Sequence, residues 1–286
     1  MLTEFKQDVD QEILNYFKEI PHNAINEAMA YSMNQGGKRL RPSLVFLSSE
    51  IFGGTRAETL PMALAMEMIH TYSLIHDDLP AMDNDVLRRG KPTSHVVFGE
   101  ALAILAGDAL LNEAMTILLE NYAVKGKSGA EAALMISKAS GREGMILGQV
   151  LDLENEKKRA SYEELVMCHN HKTGDLIAAS LTAPAIYFGA TEEEIKTIHE
   201  FGIKLGLAFQ IQDDILDKTS TNEVLGKSTG KDEKSGKTTY VELFGIDRSR
   251  EMMKDVTAEC LESLKSLKRD TAKLADLSKT LMERSY

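Results

Sequence analysis

Cysteine is scarce in this 286-residue chain, and basic residues are fewer than acidic ones. Two cysteines, Cys168 and Cys260, are too few for a disulfide framework or a cysteine-rich zinc site, and they favour a reducing compartment. The 33 Lys and Arg residues are outnumbered by 44 Asp and Glu residues, which gives a net charge of −11. This acidity argues against a general nucleic-acid binder, because such proteins carry a basic surface. Phosphate groups can still bind where local cations offset the field.

No targeting or membrane-spanning segment is predicted. Acidic residues interrupt the first twenty positions at Glu4, Asp8, Asp10, Glu12 and Glu19, so a signal-peptide apolar core is excluded there. The longest uncharged apolar stretch, Leu176–Ala190, contains Pro184 and is shorter than the roughly 20 residues of a membrane span. We therefore expect a soluble, cytoplasmic protein.

Proline and strand-like patterns are rare after the first third of the chain. Pro184 is the only proline after Pro92, so long helices are allowed there. Alternating apolar runs joined by Asn-Gly or Asp-Gly turns are missing, whereas apolar residues recur at helical spacing. Two such stripes, each predicted to pack in the core, are Leu102, Leu105, Ala109 and Met115, and Ile195, Ile198, Phe201, Ile203, Leu205 and Phe209. We predict a single all-α domain over residues 1–286.

An aspartate cluster ends the first strongly apolar segment. Asp77 and Asp83 are six residues apart and would point about 120° apart on an unbroken helix. Pro80 forbids that helix, and the break can bring Asp83 back toward Asp77. Such carboxylates suit Mg²⁺ with a bound phosphate, although a solvated, Asp-rich helix end is an equally good interpretation of this cluster alone. His70 lies on the same helix face as Asp77.

A second aspartate cluster has no proline inside it. Asp213 and Asp217 are one helical turn apart and share a helix face. Asp214 lies between them in the sequence and adds a third carboxylate. Carboxylates this close repel one another unless a cation intervenes. We therefore prefer a metal site to a solvated face here.

Several further segments supply cations and hydrogen-bond donors. They are the glycine-loosened turn Gly36–Pro42, Arg88 with Arg89, the segment Lys172–Gly174, the pair Gln149 and Asp152, and Lys227 with Lys237 in the polar stretch 218–239. That stretch is the longest predicted loop, and long loops are often lids. Its Gly230–Thr238 portion is not a P-loop, because five residues rather than four separate Gly230 from Gly236 and no strand precedes it.

Taken together, the two aspartate motifs and the Gly36-Gly37-Lys38-Arg39-Leu40-Arg41-Pro42 start, in this order on a helical chain, resemble the trans-isoprenyl diphosphate synthases. The likeness runs from about Lys38 to Lys237. It implies an isoprenoid-synthase helical bundle around a central cavity. It also implies a homodimer and a cluster of three Mg²⁺ ions held from opposite sides of the cavity by Asp77, Asp83 and Asp213.

The resemblance further implies two diphosphate sites. The allylic substrate, dimethylallyl or geranyl diphosphate, would be bound through Mg²⁺ with Arg88, Lys172, Lys227 and Lys237. Isopentenyl diphosphate would bind without metal, on Lys38, Arg41, His70 and Arg89. The catalytic residues implied are Lys172, through its main-chain carbonyl, Thr173 and Gln210, all placed to steady an allylic cation. Asp78, Asp214 and Asp217 would be outer or weaker ligands.

The implied product is the fifteen-carbon farnesyl diphosphate, with a twenty-carbon geranylgeranyl product as the alternative. Tyr72 lies five residues before Asp77, about 7.5 Å along a helix, and its ring would stop the growing tail. Ser73 lies more directly beneath Asp77, so Tyr72 stops the tail only if its ring reaches across.

A terpene cyclase is disfavoured by Asp213, Asp217 and the Lys38 segment. An inactive regulatory subunit is disfavoured, because it should have lost carboxylates or cations and none is missing here. A divalent-metal buffer is disfavoured, because it would not explain the cationic sites.

Overall fold

The computed structural model describes residues 2–219 and 237–283. Within these ranges the chain forms fourteen α-helices, one 3₁₀ turn, one π-helical turn and a two-stranded hairpin, so the all-α prediction is confirmed. Contacts between residues divide the chain into two compact units, residues 1–133 and 134–286. The single domain over residues 1–286 stays a prediction.

The first unit holds six complete helices and the hairpin. Their bounds are α1 Leu2–Glu19, α2 Ala24–Met33, α3 Leu40–Ile51, α4 Arg56–Asp77, β1 Leu87–Arg88, β2 Lys91–Pro92, α5 Ser94–Phe98, α6 Glu100–Asn121, followed by a 3₁₀ turn at Ala123–Lys125. The division between the units falls within α7, Lys127–Ser140. Helices α3 and α6 pack against α4, the central helix of this unit.

The second unit holds the remaining helices. Their bounds are α8 Met145–Asn155, α9 Tyr162–His169, a π-helical turn Asn170–Gly174, α10 Asp175–Tyr187, α11 Glu192–Thr219, α12 Tyr240–Phe244, α13 Ile246–Leu264 and α14 Ala272–Glu283. Here α10 and α13 pack along α11. Because α11 continues to Thr219, residues 218 and 219 are helical and do not belong to the predicted 218–239 loop.

Side-chain hydrogen bonds support the first two turns of α4, which contain a proline. Thr55 and Glu58 form a capping box at the start of α4, which satisfies two N–H groups that have no partner within the helix. Pro61 then removes a backbone donor inside α4. Beside it, the buried Tyr122 hydroxyl bridges two backbone groups of α4: it accepts from Met62 N at 3.0 Å and donates to Glu58 O at 2.9 Å. The helix continues past the proline to Asp77.

One predicted core stripe is wrong. In α6, Leu105 is 56% exposed and Leu102, Ala109 and Met115 are only partly buried. The residues that α6 buries are Ala103, Ala106, Gly107, Leu110, Ala114, Ile117 and Leu118. Apolar residues occupy nearly every face of this helix, so spacing alone does not select the buried one. In the α11 stripe Ile198, Phe201 and Leu205 are buried, whereas Ile195, Ile203 and Phe209 are partly buried.

The same helix bears on the expectation of no membrane span. Among the described residues, the segment Glu100–Lys125 is long and apolar enough to cross a membrane by length and composition, with 39% of its apolar window buried. Core helices of soluble proteins pass the same test, and this one packs along α4. It also carries Asp108 and Glu113 near its middle.

Candidate active site

The first aspartate motif lies where α4 ends. After Asp77 the chain turns back on itself: the N–H of Asp83 donates to the carbonyl of Asp77 at 2.9 Å, and the N–H of Asp85 donates to the carbonyl of Asp78 at 3.1 Å. The backbones of Asp77 and Asp83 are therefore adjacent, as the proline break predicts. Asp77 is partly buried and Asp83 is exposed, so both lie where a bound cation could reach the motif.

Asp78 and Arg88 form a buried pair beside this motif. Arg88 donates from Nε to both carboxylate oxygens of Asp78 at 2.8 Å and from Nη2 to Oδ1 at 2.6 Å. Burial works to lower the pKa of Arg88, but the hydrogen bonds and charge of Asp78, with the charges of Asp77 and Asp83, raise it above its ordinary value. Asp78 thus holds Arg88 in place next to the two outer aspartates.

A second cationic cluster, Arg41, His70 and Arg89, lies in the same unit. Burial lowers the pKa of His70 well below its ordinary value, and the charges of Arg41 and Arg89 lower it further. The imidazole is therefore neutral at pH 7 among positive charges. Among the described residues, Nε of Arg41 is a buried donor with no hydrogen-bond partner. Such a cluster suits an anion that brings its own charge and acceptor oxygens.

The loop before α3 belongs to this cluster. Arg89 donates to the carbonyl of Gly36, and a Cβ on Gly37 would displace the end of the Arg89 side chain, 2.5 Å away at Nη1. The φ of Gly37, 130°, is also a backbone conformation that favours glycine. Arg89 and Gly90 both have positive φ, 53° and 75°, which is the geometry of a tight two-residue hairpin turn. Sequence reasoning missed this hairpin because its turn is Arg-Gly. Lys38 is exposed at the edge of the loop.

In the second unit, Lys172 and Thr173 lie on the π-helical turn 170–174. A Cβ on Gly148 of α8 would lie 2.0 Å from Lys172 N, and one on Gly206 of α11 would lie 2.6 Å from Gly174 Cα. The two glycines let the neighbouring helices contact the backbone of this turn directly. π-helical turns are rare and are frequent at functional sites. Neither the turn nor the two glycines was predicted from the sequence.

A line of hydrogen bonds joins this turn to the second aspartate motif. Thr173 Oγ1 donates to Gln210 Oε1 at 3.3 Å, and Gln210 Nε2 donates to Asp214 Oδ1 at 3.3 Å. The buried Asp214 also accepts from the N–H of Tyr240 at 2.9 Å. Asp213 and Asp217 are partly buried. Asp214, like Asp78, therefore serves the scaffold, while its neighbours are more open.

Lys172 and Lys237 meet at one carboxylate. Asp152 Oδ2 accepts from Lys172 Nζ at 2.7 Å and from Lys237 Nζ at 3.1 Å, and Glu156 also pairs with Lys237 at 3.1 Å. Together with Gln210 and Asp214 they line a cavity of about 110 Å³. Lys227 lies outside the described residues. The structure thus brings Lys172, Lys237, Thr173 and Gln210 into one region of this unit.

Asp152 should contribute to stability in a pH-dependent way. Burial works to raise the pKa of Asp152, but Lys172 and Lys237 lower it to about 2 from 3.8. A carboxylate with a depressed pKa stabilises the fold above its unfolded pKa and loses that contribution as the pH falls through the folded value. We expect Asp152→Asn to lower the free energy of unfolding by about 2 kcal/mol at pH 7, with the difference from the wild type narrowing between pH 4 and pH 2. Urea unfolding across this range measures it.

The matched control is Asp247→Asn, since the Asp247 side chain is 99% exposed. A constant difference between Asp152→Asn and the wild type from pH 7 to pH 2 would show that the two lysines do not bind Asp152 as a charged pair.

The carboxylates of the two aspartate motifs suit a metal ion whose other ligands are water and substrate phosphates. Among residues 2–219 and 237–283, no three His, Cys, Asp or Glu side chains lie close enough to hold a metal unaided. Mg²⁺ is typically bound by one or two carboxylates, with water and substrate phosphates completing its octahedron. Asp77 with Asp83, and Asp213 with Asp217, provide such partial donor sets.

Comparison with known proteins assigns the family. A family model described as polyprenyl synthetase matches residues 22–278. The chain is 41% identical to the farnesyl diphosphate synthase of Micrococcus luteus over 100% of this chain and 97% of that protein. It is 47% identical to the chloroplastic geranylgeranyl pyrophosphate synthase of Catharanthus roseus over 84% of this chain and 68% of that protein.

A solved structure gives the same result. The geranyltransferase of Helicobacter pylori, complexed with magnesium and isoprenyl diphosphate, matches with a TM-score of 0.84 and 34% identity, over 98% of this chain and 96% of that one. The chain belongs to the polyprenyl synthetase family, as its motifs predicted.

Proposed function

We propose that this protein condenses isopentenyl diphosphate head to tail with dimethylallyl or geranyl diphosphate, giving (E,E)-farnesyl diphosphate and diphosphate. The observation that carries this proposal is the presence of two kinds of cationic site. In one kind a cation lies beside an aspartate motif, as Arg88 does beside Asp77 and Asp83. In the other, at Arg41, His70 and Arg89, two guanidinium groups accompany a neutral imidazole. A full-length relative named farnesyl diphosphate synthase supports the fifteen-carbon product. Geranylgeranyl diphosphate is the second candidate product, favoured by the relative that is 47% identical.

Asp77, Asp83 and Asp213 would hold three Mg²⁺ ions together with the allylic diphosphate. Bound Mg²⁺ supplies positive charge for the diphosphate that leaves. Arg88 would bind the same diphosphate, since Asp78 already fixes its guanidinium beside the motif. Lys172, Lys227 and Lys237 would complete this site. For the two lysines bound to Asp152, the diphosphate would become a further anionic partner.

The reaction would follow from the charges of these side chains. The allylic C–O bond breaks, and its electron pair leaves with the diphosphate, whose growing charge Arg88, Lys172 and Lys237 stabilise. The carbonyl of Lys172, the hydroxyl of Thr173 and the amide oxygen of Gln210 are dipoles suited to the allylic cation. The double bond of isopentenyl diphosphate attacks this cation. The departing diphosphate accepts the proton that the new carbon skeleton loses.

We propose a cytoplasmic homodimer as the working form. Both cysteines are buried and free, consistent with a reducing compartment. On α6 the side chains of Ile104, Leu105 and Leu119 are exposed apolar groups, which a subunit interface would remove from water. A second copy of the chain would cover this face.

The proposal is tested by supplying both substrates together. Purified protein with Mg²⁺, isopentenyl diphosphate and dimethylallyl diphosphate should release diphosphate, and either substrate alone should release none. Release from the allylic substrate alone would favour a cyclase or hydrolase instead.

Lys38→Ala or Arg41→Ala should weaken isopentenyl diphosphate binding about tenfold to a hundredfold, because each removes a charge-assisted hydrogen bond. Allylic diphosphate binding should change less, since these cations lie outside the two aspartate motifs. Separate calorimetric titrations of the two substrates measure this difference. Lys127→Ala, an exposed lysine paired with Glu131, is the matched control. Equal losses for both substrates would contradict two distinct diphosphate sites.

A further inference from the structure

A buried ion-pair network includes Arg39, which lies between the loop residue Lys38 and Arg41 in the first turn of α3. The side chains of Arg39 and Glu67 are each only 2% exposed and form an ion pair through Nη1 and Oε1. Arg39 also donates from Nε to Asp10 Oδ1 and from Nη2 to the carbonyl of Met33, both at 2.8 Å. Three nitrogens of this guanidinium are thus bound within the protein, and it has little left to offer a substrate.

These hydrogen bonds hold Arg39 in an uncommon backbone conformation. Its φ of 49° lies in the left-handed region at the N-cap of α3, a conformation that a non-glycine residue keeps only when its surroundings fix it. Arg39 is the last residue before α3 and lies between Lys38 in the loop and Leu40, the first residue of the helix. Because Lys38 and Arg41 lie within two residues of Arg39, a change in the Arg39 backbone would change the directions of both side chains.

The negative charge of Glu67 also acts on Arg41 and Arg89 in the cationic cluster. It lies one helical turn before His70 on α4. Burial lowers the pKa of Arg41 to about 10, Glu67 opposes that lowering, and Arg89 adds to it. The same carboxylate opposes the lowering of the pKa of Arg89 that burial causes. Glu67 is thus a counter-charge shared by guanidinium groups that otherwise repel one another.

We propose that Glu67 is a positioning residue for the metal-free diphosphate site: it fixes Arg39, and through Arg39 it orients Lys38 and Arg41 without contacting substrate. This inference rests on the proposed function, because it takes isopentenyl diphosphate as the ligand of that cluster. Asp10 on α1 assists from the other side of the Arg39 guanidinium, which makes the N-terminal helix a support of the site.

Positioning and simple charge predict opposite results for Glu67→Gln. Removing a negative charge near an anion site should tighten binding of a diphosphate if charge alone matters. If Glu67 holds Arg39 in place, the same substitution frees the left-handed residue to relax, and Lys38 and Arg41 lose their alignment. Binding should then weaken although the site has become more positive.

The test is titration of isopentenyl diphosphate without Mg²⁺, together with KM measurements for both substrates. For Glu67→Gln we expect the dissociation constant for isopentenyl diphosphate to rise about tenfold and KM for the allylic substrate to stay within about twofold. Glu50→Gln is the matched control, since it removes one carboxylate from the same unit at a partly exposed pair with Arg56. Unchanged or tighter binding in Glu67→Gln overturns the proposal.

Asp10→Asn decides the matter if Glu67→Gln does not fold. Asp10 is 32% exposed, so its loss disturbs packing less, yet it removes a carboxylate from the same guanidinium. We expect a rise of about threefold in the dissociation constant for isopentenyl diphosphate, and no rise overturns the proposal. A wild-type protein that neither binds this substrate nor forms product would contradict the proposed function itself. Normal wild-type binding with unaltered variants would contradict only the role of Glu67.

Discussion

Asp77→Ala and Asp213→Ala should each lower kcat by about a thousandfold or more, because each removes a carboxylate ligand from the metal ions that stabilise the leaving group. The structure places the Asp77 backbone against Asp83 and leaves Asp213 partly buried next to the scaffold residue Asp214. Initial rates at saturating substrates, measured across a Mg²⁺ titration, test both variants. The Mg²⁺ concentration required for activity should rise as well.

Asp247→Ala is the control for loss of an aspartate, because its side chain is almost fully exposed and belongs to neither motif. It should keep wild-type kcat and Mg²⁺ dependence. Full activity in the Asp77→Ala/Asp213→Ala double variant would refute the assignment of metal ligands to the two motifs.

Tyr72→Ala should shift the product from fifteen carbons to twenty or more. The ring is 5% exposed on α4, five residues before Asp77, and packs edge-on against His76 with ring centroids 5.8 Å apart. Burial raises the pKa of its phenol to about 12, so the side chain stays neutral. Truncation to a methyl group would open space along the helix for a further prenyl unit. Reversed-phase separation of the dephosphorylated products measures chain length.

Tyr72→Phe is the matched variant, since it keeps the ring and removes only the hydroxyl. It should retain the fifteen-carbon product. If Tyr72→Ala is active and still makes only that product, another residue forms the floor of the pocket and Tyr72 is a core residue.

Much of the fold could be predicted because many helix ends are set by single residues. Gly53 and Gly54, Pro80 and Gly126 each stand where a helix ends or a new one starts, and each carries a backbone constraint that a single residue reveals. The orientation of α6 could not be predicted in this way. Its faces are nearly all apolar, so the choice of buried face depends on packing against α4.

The candidate site shows the same division. The aspartates, the cations and the bend after Pro80 are legible as residue types at fixed spacing. The pairings are not, because contacts such as Arg39 with Glu67 and Asp152 with Lys237 join residues 28 and 85 positions apart. The π-helical turn at Lys172 depends likewise on Gly148 and Gly206 in other helices. Tertiary packing selects these partners among many acidic and basic candidates.

Prenyl transfer to a fifteen-carbon product can be tested in a single product analysis. Protein, Mg²⁺, dimethylallyl diphosphate and radiolabelled isopentenyl diphosphate are incubated, and the dephosphorylated products are separated by chain length. We expect farnesol that carries two labelled units per molecule, and no product when Mg²⁺ is chelated. A product of twenty carbons would contradict the farnesyl assignment. Absence of any elongated product from the folded protein would contradict prenyl transfer altogether.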